Sequence, residues 1–145
     1  MTKRSLKGLA ERMRRAARDV DRAAAEATAA TAVTIVGKLA FATPVDTSQA
    51  ISNWVASLNA PPIEFLEPHY PGEKGSTQQA SALETIAAAK LALKVIKAGD
   101  TVYVTNNAPY IRRLNEGHSQ QAPAGFIELA LGSVGGRSKR LKLKF

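Results

Sequence analysis

TPVDTSQAISNWVASLN, Thr43–Asn59, is the stretch whose reading decides the fold. What precedes it is helical in pattern, so the place where the helix stops sets the geometry of the body. The residue before a proline is pushed out of the helical region and the proline has no N–H, so Thr43-Pro44 ends the helix. Asp46 and Thr47 can cap a turn around Ser48–Ala50 by accepting backbone N–H bonds. From Ser52 to Asn59 the period becomes two. Trp54, Ala56 and Leu58 fall on one side, and Asn53, Val55, Ser57 and Asn59 on the other, which reads as a half-buried strand with Trp54 in the core.

Upstream, residues 3–41 read as one long helix. Leu6, Leu9, Met13, Ala16, Ala17 and Val20 recur at three-and-four spacing, and Ala27, Ala30, Thr31, Ile35 and Leu39 continue the stripe. Alanine fills most stripe positions, which argues against a coiled coil. Downstream, residues 60–76 hold prolines, glycines and mixed charge, a long irregular loop of the kind that is functional or disordered. Thr77–Ala98 reads as a helix with a broad face of Leu83, Ile86, Leu91 and Leu93 and with Gly99 as its C-cap. Thr101–Thr105 reads as a second strand. A short helix starting at Ala108-Pro109 and closed by Gly117 follows, with Arg112 and Arg113 outward, then a loop and a helix over Phe126–Val134 ended by Gly135-Gly136. The tail RSKRLKLKF alternates, which suits a strand added to a sheet edge or a disordered end. The expected class is α+β: a long N-terminal helix, a small mostly antiparallel sheet packed by a crossing helix, short C-terminal helices and a basic tail. Three parts are expected: a protruding basic helix over 1–29, a compact body over 30–136 and the tail over 137–145.

The chain has 145 residues, a net charge of +8 and no cysteine, which excludes disulfides and thiol chemistry. Residues 1–22 carry eight Lys/Arg against three Asp/Glu, and residues 137–145 carry five Lys/Arg and no acid, so the ends are basic and the body nearly neutral. Such ends suit a polyanion or an acidic protein surface, or simply solubility. The charged start lacks the apolar core of a signal peptide, and the run Ala27–Ala42 is broken by Thr, Gly and Lys38, short of the roughly 20 apolar residues of a membrane span. A soluble, cytoplasmic protein is expected.

Catalytic patterns are thin. His69 and His118 lie in separate loops without ligand spacing, and no phosphate-binding loop or nucleophile elbow occurs. A hydrolase using His118 with Glu116 is not expected, nor is any cofactor or metal. The basic ends suit phosphate contact, but the scattered aromatics do not form a base-stacking platform.

Two segments carry a resemblance. T-P-V-D-T-S-x-A-x-S-N-W at 43–54, and V-T-N-N-A-P-Y-I-R-R-L-N-E-G-H-S-Q-Q-A-P-A-G-F at 104–126, resemble in order two marks of phage tail-completion and head–tail connector proteins of the lambdoid minor tail type. The first departs from the family pattern at Ser48, where glycine is commonest, and this bears on the local turn. Between them the segments touch residues 40–135, and neither is catalytic.

The resemblance implies a structural virion protein of the neck or upper tail, made in the host cytoplasm and not an enzyme. It implies a homo-oligomeric ring, of six or twelve subunits, around the DNA channel, meeting portal or adaptor proteins and tail terminator or tube proteins, with no membrane contact. Under it Asp46, Trp54, Tyr110, Leu114, Gly117, Pro123 and Phe126 define the fold: Tyr110 and Leu114 pin the short helix to the sheet, and Pro123 and Phe126 anchor the last helix. Arg112, Arg113, Glu116, His118 and Gln120 become candidates for contacts between subunits or rings. Arg12 and Arg15, with Arg137, Lys139, Arg140, Lys142 and Lys144, would face packaged DNA or an acidic partner. The alternative, from another class, is a small DNA-binding accessory protein.

Overall fold

The computed structural model describes residues 5–134. Gly135-Gly136 and the tail, with Arg137, Lys139, Arg140, Lys142 and Lys144, lie outside the described residues. In chain order the elements are α1 (Leu6–Ala42), α2 (Gln49–Ser52), β1 (Trp54–Leu58), α3 (Gln78–Ala92), β2 (Val102–Asn106), α4 (Ile111–Asn115) and α5 (Phe126–Gly132). The class is α+β: one long helix, a two-stranded antiparallel sheet and shorter helices around it. β1 and β2 pair from Trp54 opposite Asn106 to Leu58 opposite Val102.

Ser5 caps α1, its hydroxyl accepting the Gly8 N–H at 3.1 Å. The helix stops at Thr43, which turns extended before Pro44. Its core-facing residues are Ala25, Ala32, Ile35, Val36, Leu39 and Ala40; Ala27 and Ala30, expected on that face, are exposed. The reason is a change of phase. At 3.6 residues per turn, the stripe of Leu6, Leu9, Met13 and Val20 points roughly 120° away from the face that packs on the body. The stripe therefore does not run into the core, and from Ser5 to Ala24 no side chain is buried. By length and composition α1 is apolar enough to cross a membrane, but 33% of its most apolar 18-residue window is buried inside the fold.

Three clusters make the core. Ala32 and Val36 meet Ala56, Ala89 and Leu93; Ile35 and Leu39 meet Trp54, Phe126 and Ile127; Ala40 meets Val45, Ile51 and Ala82. The α3 face that packs inward is Ser81, Ala82, Thr85 and Ala89; of the leucines expected there Leu83 is 54% and Leu91 67% exposed, and only Leu93, just past the helix, is buried. Small residues let α3 sit close on the Gly37–Ala40 region of α1, where the Ile86 side chain would stand 3.5 Å from a Cβ on Gly37. They also bring the Thr85 hydroxyl within 3.3 Å of the Ile51 carbonyl. α3 ends at Ala92 rather than Ala98; Leu93, its C-cap, is buried and still donates its N–H to the Ala89 carbonyl.

Gly99 belongs instead to the turn that follows α3, with φ +90°. There Asp100 accepts the Lys97 N–H at 2.8 Å and the Asn59 side-chain amide at 3.1 Å. These bonds, the backbone one first, hold the Asp100 carboxyl below its ordinary value of 3.8. A depressed folded pKa gives stability that is present above the unfolded value and lost as pH falls through the folded one. The advantage of the wild type over Asp100→Ala is accordingly expected at neutral pH and should fade on acidification. Urea unfolding of both chains across the acid range would check it.

The turn after Thr43 differs from the sequence expectation. Ser52 belongs to α2 and Asn53 to the turn after it, so the strand starts at Trp54. Asp46 does not cap the Ser48–Ala50 turn; its carboxylate accepts the Lys74 N–H at 2.8 Å and ties down the far end of the 60–76 loop. The turn is made by Ser48 itself, buried and left-handed at φ 65°. That is the position where the resembled element carries glycine. Ser48→Gly is expected to change stability by no more than about 1 kcal/mol, relief of strain offsetting the lost bond to Thr77. Ser48→Val, β-branched in a left-handed backbone, should cost about 2–3 kcal/mol, and thermal melts of the wild type and both variants would check the pair.

Candidate functional site

The fold brings the two quoted segments to one place. Pro44–Ala50 forms one wall of a cleft of ≈ 330 Å³, and Tyr110, Leu114, Ser119 and Gln121 form the other. The weld between the walls is Gln121. Its side-chain oxygen accepts the Val45 N–H at 2.7 Å and its side-chain N–H donates to the Val45 carbonyl at 2.9 Å. One amide thus imitates a strand partner for Val45, which is 3% exposed and has little water to turn to.

Tyr110 crosses the same cleft lower down. It donates from its hydroxyl to the Gln49 side chain at 3.1 Å, so it holds α4 to α2, and not to the sheet as expected. Burial raises the Tyr110 pKa, which keeps the phenol neutral and a donor. Leu114 is half-buried and packs on the cluster of Trp54 and Phe126. Gly117, at φ +95°, turns the chain after α4, and an added Cβ would stand 3.1 Å from the Ala124 side chain. Asn115 then closes the hairpin. Its side-chain oxygen accepts the Ile127 N–H at 3.0 Å, its backbone carbonyl accepts the Gly125 N–H at 2.7 Å, and its amide donates to Glu128. Phe126, 2% exposed, anchors α5; Pro123 is exposed and does not, because the anchoring passes through Asn115 and the Phe126 ring.

The candidate contact residues lie on the outer side of this hairpin. Arg112, Arg113, Glu116, His118 and Gln120 are all exposed. Glu116 and His118 approach to 4.0 Å, and among the described residues Arg112 and Arg113 have no ion-pair partner. Arg12 and Arg15 are not part of this surface. They stand on α1 roughly 15–20 Å along the helix from Ala25, its first buried residue. Asp46 and Tyr110 are the titratable residues in the cleft wall, and Asp46 is already bonded to Lys74. Among the described residues no group of three or more His, Asp or Glu could hold a metal ion.

Sequence reasoning missed the side-chain amides. Besides Gln121 and Asn115, Asn53 pairs with both the N–H and the carbonyl of Leu66, at 2.8 and 2.9 Å, and Asn107 donates to the carbonyls of Pro62 and Glu64. Each lies beside a turn or proline, which was the one available signal. Comparison with known proteins gives no match to a family model, a curated protein or a solved structure.

Proposed function

We propose that this chain is a structural protein of a phage neck or upper tail that joins head to tail, acting as a homo-oligomeric ring around the DNA channel and not as an enzyme. The observation that supports it most is the meeting of the two family-like segments. They are 50 residues apart in sequence, yet they form the two walls of one cleft, welded by Gln121 on Val45. Their polar residues serve as braces, with the Arg112–Gln120 surface left outward for neighbouring subunits, portal or adaptor proteins, or tail terminator and tube proteins. A brace of this kind suits a part that must hold its shape under load.

The exposed arginines of α1 support a second reading, a small DNA-binding accessory protein, because Arg12, Arg14, Arg15 and Arg18 have no ion-pair partner among the described residues. Labelling purified phage particles with an antibody to this chain separates the two. Label at the head–tail junction is the expected result. Label absent from particles, with salt-sensitive binding of the isolated chain to random duplex DNA, would overturn the first reading in favour of the second.

A further inference from the structure

We infer that the loop over residues 60–73 is a docking face, and that its occupant is the basic N-terminal half of α1 from a second copy of this chain. The proposal rests on the homo-oligomeric reading above only in taking a second copy as the occupant.

The loop is irregular yet fixed. Asn53, 1% exposed, holds Leu66 by two bonds; Asn107 holds Pro62 and Glu64; the Ser52 hydroxyl accepts the His69 N–H at 2.9 Å; and the Thr77 hydroxyl donates to the Tyr70 carbonyl. A segment pinned at so many points from below would ordinarily turn its large apolar side chains inward. Here they point out: Ile63 is 92%, Phe65 44% and Tyr70 46% exposed. A fixed loop that presents such side chains among polar ones is the form of an interaction surface. Its charge is acidic, with Glu64, Glu67 and Glu73 against Lys74.

The first half of α1 has the complementary pattern. Leu6, Leu9, Met13 and Val20 make an exposed stripe that faces away from this helix's own packing side. Arg12 and Arg14 stand to its two sides, roughly 90–110° round the helix, while Arg15, Arg18 and Arg22 lie on the opposite face; Arg12 and Arg14 have no ion-pair partner among the described residues. Glu64, Glu67 and Glu73 likewise have none. From Leu6 to Val20 the stripe runs roughly 20 Å, and eight loop residues from Ile63 to Tyr70 can extend at most about 25 Å. α1 is continuous to Ala42, so a chain cannot bring this half onto its own loop; the occupant is another molecule. Nucleic acid would use the arginines but leave the leucine stripe bare and would meet repulsion from the glutamates. A second copy satisfies both surfaces, and the contact is head-to-tail, of the kind that closes rings.

Sedimentation velocity on the full chain tests this. The wild type should self-associate more weakly as salt rises. Reversing the helix charges (Arg12→Glu with Arg14→Glu) or the loop charges (Glu64→Lys with Glu67→Lys) should each weaken association by about tenfold or more. Mixing the two reversed chains should restore it, since each then meets its opposite, and Phe65→Ser should weaken it without changing the salt dependence. Monomer at every concentration would overturn the inference. So would association indifferent to both reversals, which would place the contact elsewhere, such as on Leu83 and Leu91, and leave the connector reading standing. Loss of duplex-DNA binding on reversing the helix, with association unchanged, would overturn the inference by making nucleic acid the partner of the helix instead.

Discussion

Trp54→Ala should lower the free energy of unfolding by about 3–5 kcal/mol, a fall in Tm of roughly 10–20 °C. The indole is 6% exposed and sits among Ile35, Leu39, Phe126 and Ile127, so it fills the point where α1, β1 and α5 meet. It also carries a polar link. The indole N–H donates to the Thr43 hydroxyl at 2.8 Å, and that hydroxyl donates to the Leu39 carbonyl at 2.6 Å, a carbonyl in the last turn of α1. The chain therefore fastens the first residue of its strand to the end of its long helix. Trp54→Phe keeps most of the packing and loses the link, so a cost of about 1–2 kcal/mol is expected. As Trp54 is the chain's single tryptophan, urea unfolding of the variants would be followed by circular dichroism. A loss under 1 kcal/mol for Trp54→Ala would mean that the helix and strand are not joined through this side chain.

The second large effect belongs to Gln121. Gln121→Ala removes two hydrogen bonds and leaves the N–H and carbonyl of a buried Val45 without them, at a cost of about 2–3 kcal/mol. Gln120→Ala, one residue earlier and exposed, should change stability by no more than about 0.5 kcal/mol. Gln121→Glu refines the test. A carboxylate can accept from the Val45 N–H, but its second oxygen would face the Val45 carbonyl, which favours the protonated form and raises the folded pKa. The bond is then present below the unfolded glutamate pKa and lost as pH rises through the folded one, so this variant should approach the wild type in acid and fall away at neutral pH. Hydrogen exchange at the Val45 amide reads the weld directly. Equal protection in the wild type and Gln121→Ala would mean that the cleft is held by something else.

What was legible in the sequence follows from how far each signal reaches. Thr43-Pro44 stops a helix by local sterics, and the alternation around Trp54 is local too, so both elements stand as expected apart from their ends. α2 was hidden because four residues carry no period, and its entry depends on Ser48 taking a left-handed backbone that a serine does not announce. The inward face of α3 was misread because leucines were taken as the core mark. The helix lies so close to α1 that Ser81, Ala82, Thr85 and Ala89 fit there, and Leu83 and Leu91 do not. The phase change along α1 was also missed, since a stripe of alanines runs smoothly from one face to the next.

The candidate site was half legible. Both segments stood out; Phe126 is buried, Leu114 packs half-buried on its cluster, and Gly117 takes the left-handed turn after α4. The residue that joins the segments was passed over in favour of its neighbour Gln120. Gln121 bonds a residue 76 positions away, and no local pattern tells which of two adjacent glutamines does so. The same holds for Asn53 and Asn107, whose amides hold the 60–76 loop in place.

The connector reading is tested most directly by electron microscopy of lysates from a phage with an early stop codon in this gene. The account predicts filled heads and finished tails lying unjoined, or tails with abnormal ends, and rescue by the chain supplied in trans. Normal infectious particles would contradict it.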